Sequence, residues 1–156
     1  MKGLILKDLY AMGGFYRNTF FSMVIVCGCF GFSLGAEGVA AATAIMCATM
    51  IVSTFALDER CGWHGFAAAL PVDRKESVLA KYAVHVIYCF TGTFLGFVIS
   101  IVVNMFAEQK LSIGELAVCA VVSFGISMVF GFIIIPIMFR FGAERARFIM
   151  MAVIAL

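Results

Sequence analysis

Residues 82–107 read YAVHVIYCFTGTFLGFVISIVVNMFA, and this stretch decides the fold class. It contains 26 residues and no Asp, Glu, Lys or Arg. Because a helix needs about 20 apolar residues to cross the hydrocarbon core of a bilayer, the stretch predicts a membrane-spanning helix. A surface helix of a soluble domain would instead carry charged side chains along the face that meets water.

Three further uncharged stretches of spanning length occur at 18–36, 38–57 and 116–139. A fifth apolar stretch, 148–156, has nine residues, which as a helix would rise about 13 Å and cover less than half of the hydrocarbon core. We therefore predict an all-α polytopic membrane protein in which residues 1–156 form a single transmembrane domain, with four spans and the incomplete start of a fifth. The short last stretch also predicts that the sequence is part of a longer chain.

The composition supports this class and excludes others. Of the 156 residues, 64% are apolar and 13% are charged, and the mean hydropathy is +1.11. A soluble globule of this size could not bury so much apolar surface, and a disordered chain would be far more polar. The net charge of +2 comes from scattered residues that form no basic face, so we expect no nucleic acid as a partner.

The distribution of Lys and Arg predicts the orientation in the membrane. Ten of the eleven basic residues lie before the first span, between the second and third spans, or after the fourth span, and the remaining one is Lys110. Since basic residues favour the cytoplasmic side, the N-terminus should be cytoplasmic. The connections around Glu37 and Lys110 should then lie outside, and membrane lipid should surround the spans.

Residues 1–16 are too short and too charged to cross the membrane, but they are rich in apolar side chains. We predict a helix that lies in the cytoplasmic interface of the bilayer. Asp8 falls within its apolar arc, which makes the amphipathic pattern imperfect. A disordered leader is the alternative interpretation of this segment.

Residues 58–81, DERCGWHGFAAALPVDRKESVLAK, form a long connection between the second and third spans. A carboxylate is unfavourable at a helix C-terminus, so Asp58 is predicted to be the N-cap of a new short helix. Pro71 disfavours the helical conformation at the residue before it and should end that helix. The helix carries three large apolar side chains, Trp63, Phe66 and Leu70. They indicate a docking surface for a partner, although a membrane-surface helix with an interfacial tryptophan is the alternative.

The residues 31–35, GFSLG, match the G-x-S-x-G signature of hydrolases. That signature requires a strand, a turn and a nearby histidine, whereas His64 and His85 should both lie near the opposite face of the membrane. The chain also lacks C-x-x-C, H-E-x-x-H and phosphate-binding-loop patterns, and its spans contain no Asp, Glu, Lys or Arg. We therefore predict no catalytic residue, no metal or cofactor site in this chain, and no ion-coupled transport.

Small residues at helical spacing predict close helix packing. They are Gly28, Gly31 and Gly35 in the first span, and Gly92 and Gly96 in the third. These faces would join two copies of the chain into a homodimer or pack helices within one copy. Pro136 should kink the fourth span near its cytoplasmic end, since its ring removes a backbone hydrogen bond.

The connection between the second and third spans resembles the corresponding segment of the ABC type-2 permease family of bacterial exporters. The residues that carry the resemblance are Phe55, Asp58, Glu59, Gly62, Trp63, LPVDRK at 70–75, Val78, and AKY at 80–82. The opening MKGLILKDLY, at 1–10, is similar to that family's N-terminal interfacial helix. The resemblance implies six spans in the full chain, an N-terminus inside the cell and a location in the bacterial plasma membrane.

The resemblance also implies partners. Two permease subunits, expected here to be a homodimer, would work with two ABC ATPase subunits that hold ATP and magnesium. In such exporters the short helix after the second span docks in a groove of the ATPase, and closure of the ATPase dimer tilts the spans to give alternating access. The residues to which the resemblance assigns this coupling are Asp58, Glu59, Arg60, Trp63, Phe66, Leu70, Pro71, Arg74 and Lys75.

Two functions are compatible with these residues. The first is the permease subunit of an ATP-driven exporter, and the resemblance implies export of amphipathic peptides such as phenol-soluble modulins, lantibiotics and other antimicrobials. The second is a non-catalytic membrane scaffold or assembly subunit that uses the same aromatic segment to hold a cytoplasmic partner. Stimulation of an ATPase by an exported peptide distinguishes the two.

The predicted orientation is testable through the accessibility of single cysteines. In a variant without the native cysteines, Glu37→Cys should react with a membrane-impermeant maleimide in intact cells, whereas Arg74→Cys should react only after lysis. The Glu37 substitution should leave insertion intact, since exposed changes shift the free energy of unfolding by about 0.5 kcal/mol or less. Labelling at position 74 in intact cells would contradict this orientation.

Overall fold

The computed structural model describes residues 2–11, 13–63, 74–106 and 111–154. These residues form four helices: α1 (Lys2–Ala11), α2 (Gly13–Arg60), α3 (Arg74–Phe106) and α4 (Ile113–Ile154). No strand occurs in these ranges, so the predicted all-α class is confirmed.

Two of the long helices contain a glycine with non-helical backbone angles. Gly35 in α2 has φ 70° and ψ −170°, and Gly142 in α4 has φ 79° and ψ 164°. Glycine adopts positive φ without the steric cost of a Cβ atom. The chain therefore changes direction at Gly35, and Glu37 is exposed at the start of the helix that follows. The short connection predicted around Glu37 thus corresponds to a break at a single residue, Gly35, two positions earlier.

α4 contains the proline at which the sequence predicts a kink, and it also contains a break in the helical backbone. Pro136 is inside α4, and the non-helical backbone angles occur six residues later, at Gly142. A Cβ atom at Gly142 would lie 2.8 Å from Oε1 of Glu59, so both the backbone angle and the close neighbour favour glycine there. Gly142 is therefore a break in α4 that the sequence did not predict, and the kink at Pro136 stays a prediction.

Three helical stretches in the described ranges are long and apolar enough to cross a membrane: Gly35–Arg60, Lys75–Phe106 and Ile113–Arg140. They correspond to the predicted second, third and fourth spans, each lengthened at its start. The predicted first span, 18–36, lies in helical backbone that is interrupted at Gly35, and the short fifth stretch lies at the end of α4. Neither is among the three candidate spans, so the predicted count of four spans and part of a fifth is not confirmed.

Small side chains allow α2 and α3 to approach closely. Along α2, alanines recur at four-residue spacing and are almost fully buried; they are Ala36, Ala40, Ala44 and Ala48. A Cβ atom at Gly92 would overlap the side chain of Cys47, and one at Gly96 would overlap the side chain of Thr43. The close-packing face predicted on the third span is therefore used within one copy of the chain.

The other predicted packing glycines have different surroundings. A Cβ atom at Gly35 would meet no atom within 4 Å, so this glycine acts through its backbone conformation. Gly28 and Gly31 lie in helical backbone, and the contacts around them are outside what the structure describes.

A buried apolar core joins α2, α3 and α4 near the end of the bundle where α1 lies. Its members are Ile51, Val52, Phe55, Val84, Tyr88, Ile134, Ile135 and Met138. Ile5 and Leu9 of α1 pack against this core. Of the segment 1–16 that was predicted to be interfacial, residues 2–11 form a helix that packs against this core, and residues 13–16 belong to α2.

One polar contact inside the bundle depends on a glycine. His85 of α3 is 1% exposed, and its Nε2 atom lies 3.2 Å from the Ser127 carbonyl oxygen of α4. Since a carbonyl oxygen only accepts hydrogen bonds, Nε2 donates in this contact. The imidazole ring occupies the space where a Cβ atom at Gly131 would lie. The absence of a side chain at Gly131 therefore lets α3 and α4 form this hydrogen bond.

The space that Gly131 leaves for the His85 ring, here called the Gly131 notch, can be tested by adding one methyl group at position 131. Gly131→Ala should lower the free energy of unfolding by about 1–3 kcal/mol, because overpacking forces the imidazole or the backbone to move. Gly125→Ala is the matched control on the same helix, since its Cβ atom would meet nothing within 4 Å. Thermal denaturation in lipid nanodiscs measures both. Equal melting temperatures for the two variants would contradict the notch.

Candidate functional site

Four charged residues that are far apart in sequence meet at one end of the bundle. Lys7 and Asp8 come from α1, Asp58 from the last turn of α2, and Lys81 from the first part of α3. We call Lys7, Asp8, Asp58 and Lys81 the charge cluster. Asp8, Lys81 and Asp58 are only 3%, 6% and 8% exposed. Charges so poorly hydrated need partners of opposite sign.

Within the charge cluster, each ammonium group contacts both carboxylates. The Nζ atom of Lys81 lies 2.8 Å from Asp8 Oδ2 and 2.7 Å from Asp58 Oδ2. The Nζ atom of Lys7 lies 2.6 Å from Asp58 Oδ1 and 3.1 Å from Asp8 Oδ1. Two positive and two negative charges thus form a closed, neutral square. Lys81 contacts its carboxylates as ion pairs rather than along well-aligned hydrogen bonds.

The square accounts for an apparent flaw in the sequence of α1. Asp8 lies on the apolar arc of this helix and would oppose burial if it were unpaired. Instead it points into the bundle and meets Lys81, 73 positions later in the sequence. The arc is therefore an inward-facing surface with one charge that has a specific partner.

Asp58 is not the helix N-cap that the sequence predicts. α2 continues through Asp58 and ends at Arg60, and Gly62 in the turn that follows has φ 63°. The Cys61 amide donates to the Leu57 carbonyl oxygen at 2.9 Å, and the Gly62 amide donates to the Glu59 carbonyl oxygen at 3.1 Å. A left-handed glycine commonly ends a helix in this way. Two ammonium groups offset the unfavourable position of Asp58 near the negative end of the helix dipole.

Aromatic rings lie beside both lysines of the charge cluster. The Nζ atom of Lys7 lies 3.9 Å from the centre of the Trp63 ring, and that of Lys81 lies 4.9 Å from the centre of the Phe55 ring. Both distances are within the range of cation–π attraction. Phe55 also meets Phe139 of α4 edge to face, with ring centres 5.0 Å apart. The cluster therefore contacts four elements, α1, α2, α3 and the start of the connection, and reaches α4 through Phe55.

A small cavity of about 60 Å³ lies against the charge cluster, with Trp63 and Ser77 among the other residues that line it. A space of this size has room for one or two water molecules, and its lining is mostly apolar apart from the charge cluster and Ser77. Each carboxylate is already engaged by two ammonium groups. Within the described ranges, no group of three or more His, Cys, Asp or Glu side chains could hold a metal ion. The arrangement is suited to joining helices mechanically.

The structure places only some of the predicted coupling residues at this cluster. Asp58 belongs to it and Trp63 stacks on it, whereas Glu59 lies beside Gly142. Arg60 and Lys75 are exposed, and Arg74 is the first residue of α3. Phe66, Leu70 and Pro71 lie outside the described residues.

Sequence reasoning missed Lys7, Asp8 and Lys81 as members of the site. One signal was present, because a carboxylate on the apolar arc of a helix suggests a buried partner. The partner's identity depends on how α1 crosses the other helices, and that is not a local property of the sequence.

Comparison with known families covers nearly the whole chain. A family model described as ABC-2 family transporter protein matches residues 3–156. The chain belongs to this family. No curated protein and no solved structure matches it. Membership makes the chain a multi-pass permease subunit of an ABC transporter, and it implies an ABC ATPase as partner. The resemblance seen in the sequence is thereby confirmed at the level of the family.

The charge cluster predicts an unequal response to the loss of two carboxylates. Asp58→Asn leaves two buried ammonium groups with Asp8 alone and should cost on the order of 3 kcal/mol of stability. Glu37→Gln removes an exposed carboxylate outside the cluster and should cost about 0.5 kcal/mol or less. Thermal denaturation in nanodiscs gives both values.

Restoring neutrality should recover part of the loss. In the double variant Asp58→Asn with Lys81→Met, one positive and one negative charge remain, so its cost should be smaller than the sum of the two single costs. Additive costs, or equal melting of Asp58→Asn and Glu37→Gln, would show that the four charges do not act as a unit.

Proposed function

We propose that the chain is the permease subunit of an ATP-driven exporter that moves amphipathic or antimicrobial peptides out of the cell by alternating access. The N-terminus lies in the cytoplasm of a bacterial cell, and the connection after α2 contacts the ABC ATPase. ATP and magnesium bind to that ATPase, which performs the hydrolysis. This chain supplies the membrane path and has no ATPase site of its own.

One observation carries the coupling part of the proposal. The connection after α2 starts directly at the charge cluster, which holds α1, α2 and α3 together. A partner that pushes on this connection acts on a joint between three helices, two of which are candidate spans. Rigid-body movement of packed helices needs such a joint, because a flexible loop would absorb the displacement.

Charge and sequence support the orientation. The end of the bundle with the charge cluster also carries Arg60, Lys75 and Arg140, all of which are exposed. Basic residues favour the cytoplasmic side, where the ATPase is found. We expect Arg74 and Lys75, at the start of α3, to orient the docked segment or to meet lipid headgroups.

The proposed homodimer has fewer surfaces available than the sequence suggested. Gly92 and Gly96 already pack against α2 of the same chain. Gly28 and Gly31, on the part of α2 before the break at Gly35, remain the small-residue face for a second copy. The peptide class of the substrate rests on the resemblance of the connection and of α1 to peptide exporters.

The proposal predicts that an aromatic side chain in the connection anchors the ATPase. Phe66→Ala should weaken binding of the copurifying ATPase by about ten- to thirty-fold, as expected when a buried interface anchor is truncated. Phe106→Ala is the matched control, since Phe106 is 86% exposed at the other end of α3. Titration of the purified ATPase against nanodiscs that contain each variant gives the affinities.

Transport itself needs a second measurement. Inverted vesicles that contain the permease and its ATPase should accumulate a synthetic amphipathic helical peptide when ATP is present. If the ATPase binds but no ATP-dependent peptide uptake occurs, the permease role would stand and the proposal of a peptide substrate would be rejected. Binding without stimulated hydrolysis would favour a membrane scaffold.

A further inference from the structure

The side chain of Trp63 is engaged by the permease itself. Its ring lies against the Nζ atom of Lys7, 3.9 Å from the ring centre, and the residue is half-buried. The same Nζ atom lies 2.6 Å from Asp58 Oδ1. Lys7 therefore links Trp63, three residues beyond the end of α2, to the charge cluster. This arrangement differs from that of an aromatic residue held out toward a partner.

The backbone also directs Trp63 toward the cluster. Gly62 has φ 63°, and the two hydrogen bonds from Cys61 and Gly62 close the end of α2 just before Trp63. A residue with a Cβ atom would be strained in that conformation, so the turn is specified by glycine. The position of Trp63 is thus fixed twice, by the backbone turn at Gly62 and by the contact of its ring with Lys7.

We propose that Lys7 is a positioning residue of the ATPase contact, and that it acts by holding Trp63 over the charge cluster. This inference rests on the proposed function for its consequence, because the segment positioned is the one that meets the ATPase. α1 is then part of the coupling apparatus: it sets where the connection leaves the bundle. Trp63 is the inward anchor of the connection, and residues further along provide the outward contact.

The chemistry of the pair suits this task. A Trp ring is the best π partner for an ammonium group, and its two side-chain torsions lose little entropy when it is fixed. Lys7 is the least buried member of the cluster, with 26% of its side chain exposed, so it can meet a ring at the edge of the bundle. The side chain of Lys81 is only 8% exposed, and its ion pairs with Asp8 and Asp58 connect α3 to α1 and α2 instead.

The contact can be measured in the permease alone, because Trp63 is the only tryptophan in the chain. In lipid vesicles, which add no tryptophan of their own, Lys7→Met should raise the acrylamide quenching constant of the intrinsic fluorescence roughly two-fold or more, because the ring loses the contact that holds it against the bundle. Lys7→Arg should retain the native value, since a guanidinium group also stacks on tryptophan. Lys2→Met is the control for loss of one positive charge from α1.

The functional consequence is measured in the complex with the copurifying ATPase. Trp63→Ala leaves all four charges of the cluster in place and should reduce permease-dependent ATP hydrolysis about two- to five-fold, while binding of the ATPase is retained. Lys7→Met should reproduce this loss. The double variant should be no worse than Lys7→Met alone, because that variant has already lost the contact with the Trp63 ring together with the ion pairs of Lys7.

The two sets of results separate this inference from the proposed function. Unchanged quenching in Lys7→Met would overturn the inference whether or not an ATPase binds. Changed quenching with unchanged hydrolysis, or additive losses in the double variant, would overturn the positioning role. If the wild-type chain binds no ATPase, the proposed function fails, while the quenching result still supports the contact between Lys7 and Trp63.

Discussion

Burial of two carboxylates and two ammonium groups at one end of the bundle is the constraint on which the rest of the structure depends. Any one of these charges would be costly to dehydrate without partners. Together they form a neutral square in which each lysine contacts both aspartates. Because the four residues come from three helices, the pairing fixes α1, the end of α2 and the start of α3 relative to one another. Helix α1 cannot leave this position without exposing or unpairing Asp8.

Close helix packing supports the same arrangement from inside the bundle. The alanine stripe of α2 and the glycines of α3 bring the two helices near enough for their backbones to approach, and Gly131 makes room for the imidazole of His85. In a membrane the hydrophobic effect contributes little to helix association, so close packing and hydrogen bonds supply more of the stabilising free energy. The Phe55 ring contacts both the apolar core and the charge cluster, since it belongs to the core and lies beside Lys81.

On the proposed function, the charge cluster decides what an ATPase can move. A load applied to the connection at Trp63 reaches α1 through Lys7 and reaches α2 and α3 through Asp58 and Lys81. The glycines at the margins mark where direction changes: Gly62 ends α2, and Gly142 turns α4 beside Glu59. Rigid elements that meet at defined turns transmit displacement, which is what alternating access requires of a permease.

The sequence by itself determined the helical class, the membrane environment and the family. Each of these follows from composition, from apolar stretches of spanning length, or from motifs confined to a few dozen residues. It also singled out Trp63 and Asp58, which the structure brings together at the charge cluster. It assigned Asp58 the wrong local role, because the helix-dipole argument considers only the residues near the helix end.

Only the tertiary structure decided which charges pair and which glycines face another helix. Asp58 and Lys7 are 51 positions apart, and no periodic pattern links them. The break at Gly142 was not predicted either, and Glu59 of another helix lies beside it. Helix formation responds to neighbours within about four residues. Ion pairing and close packing depend on how whole helices cross, and that is settled only when the bundle assembles.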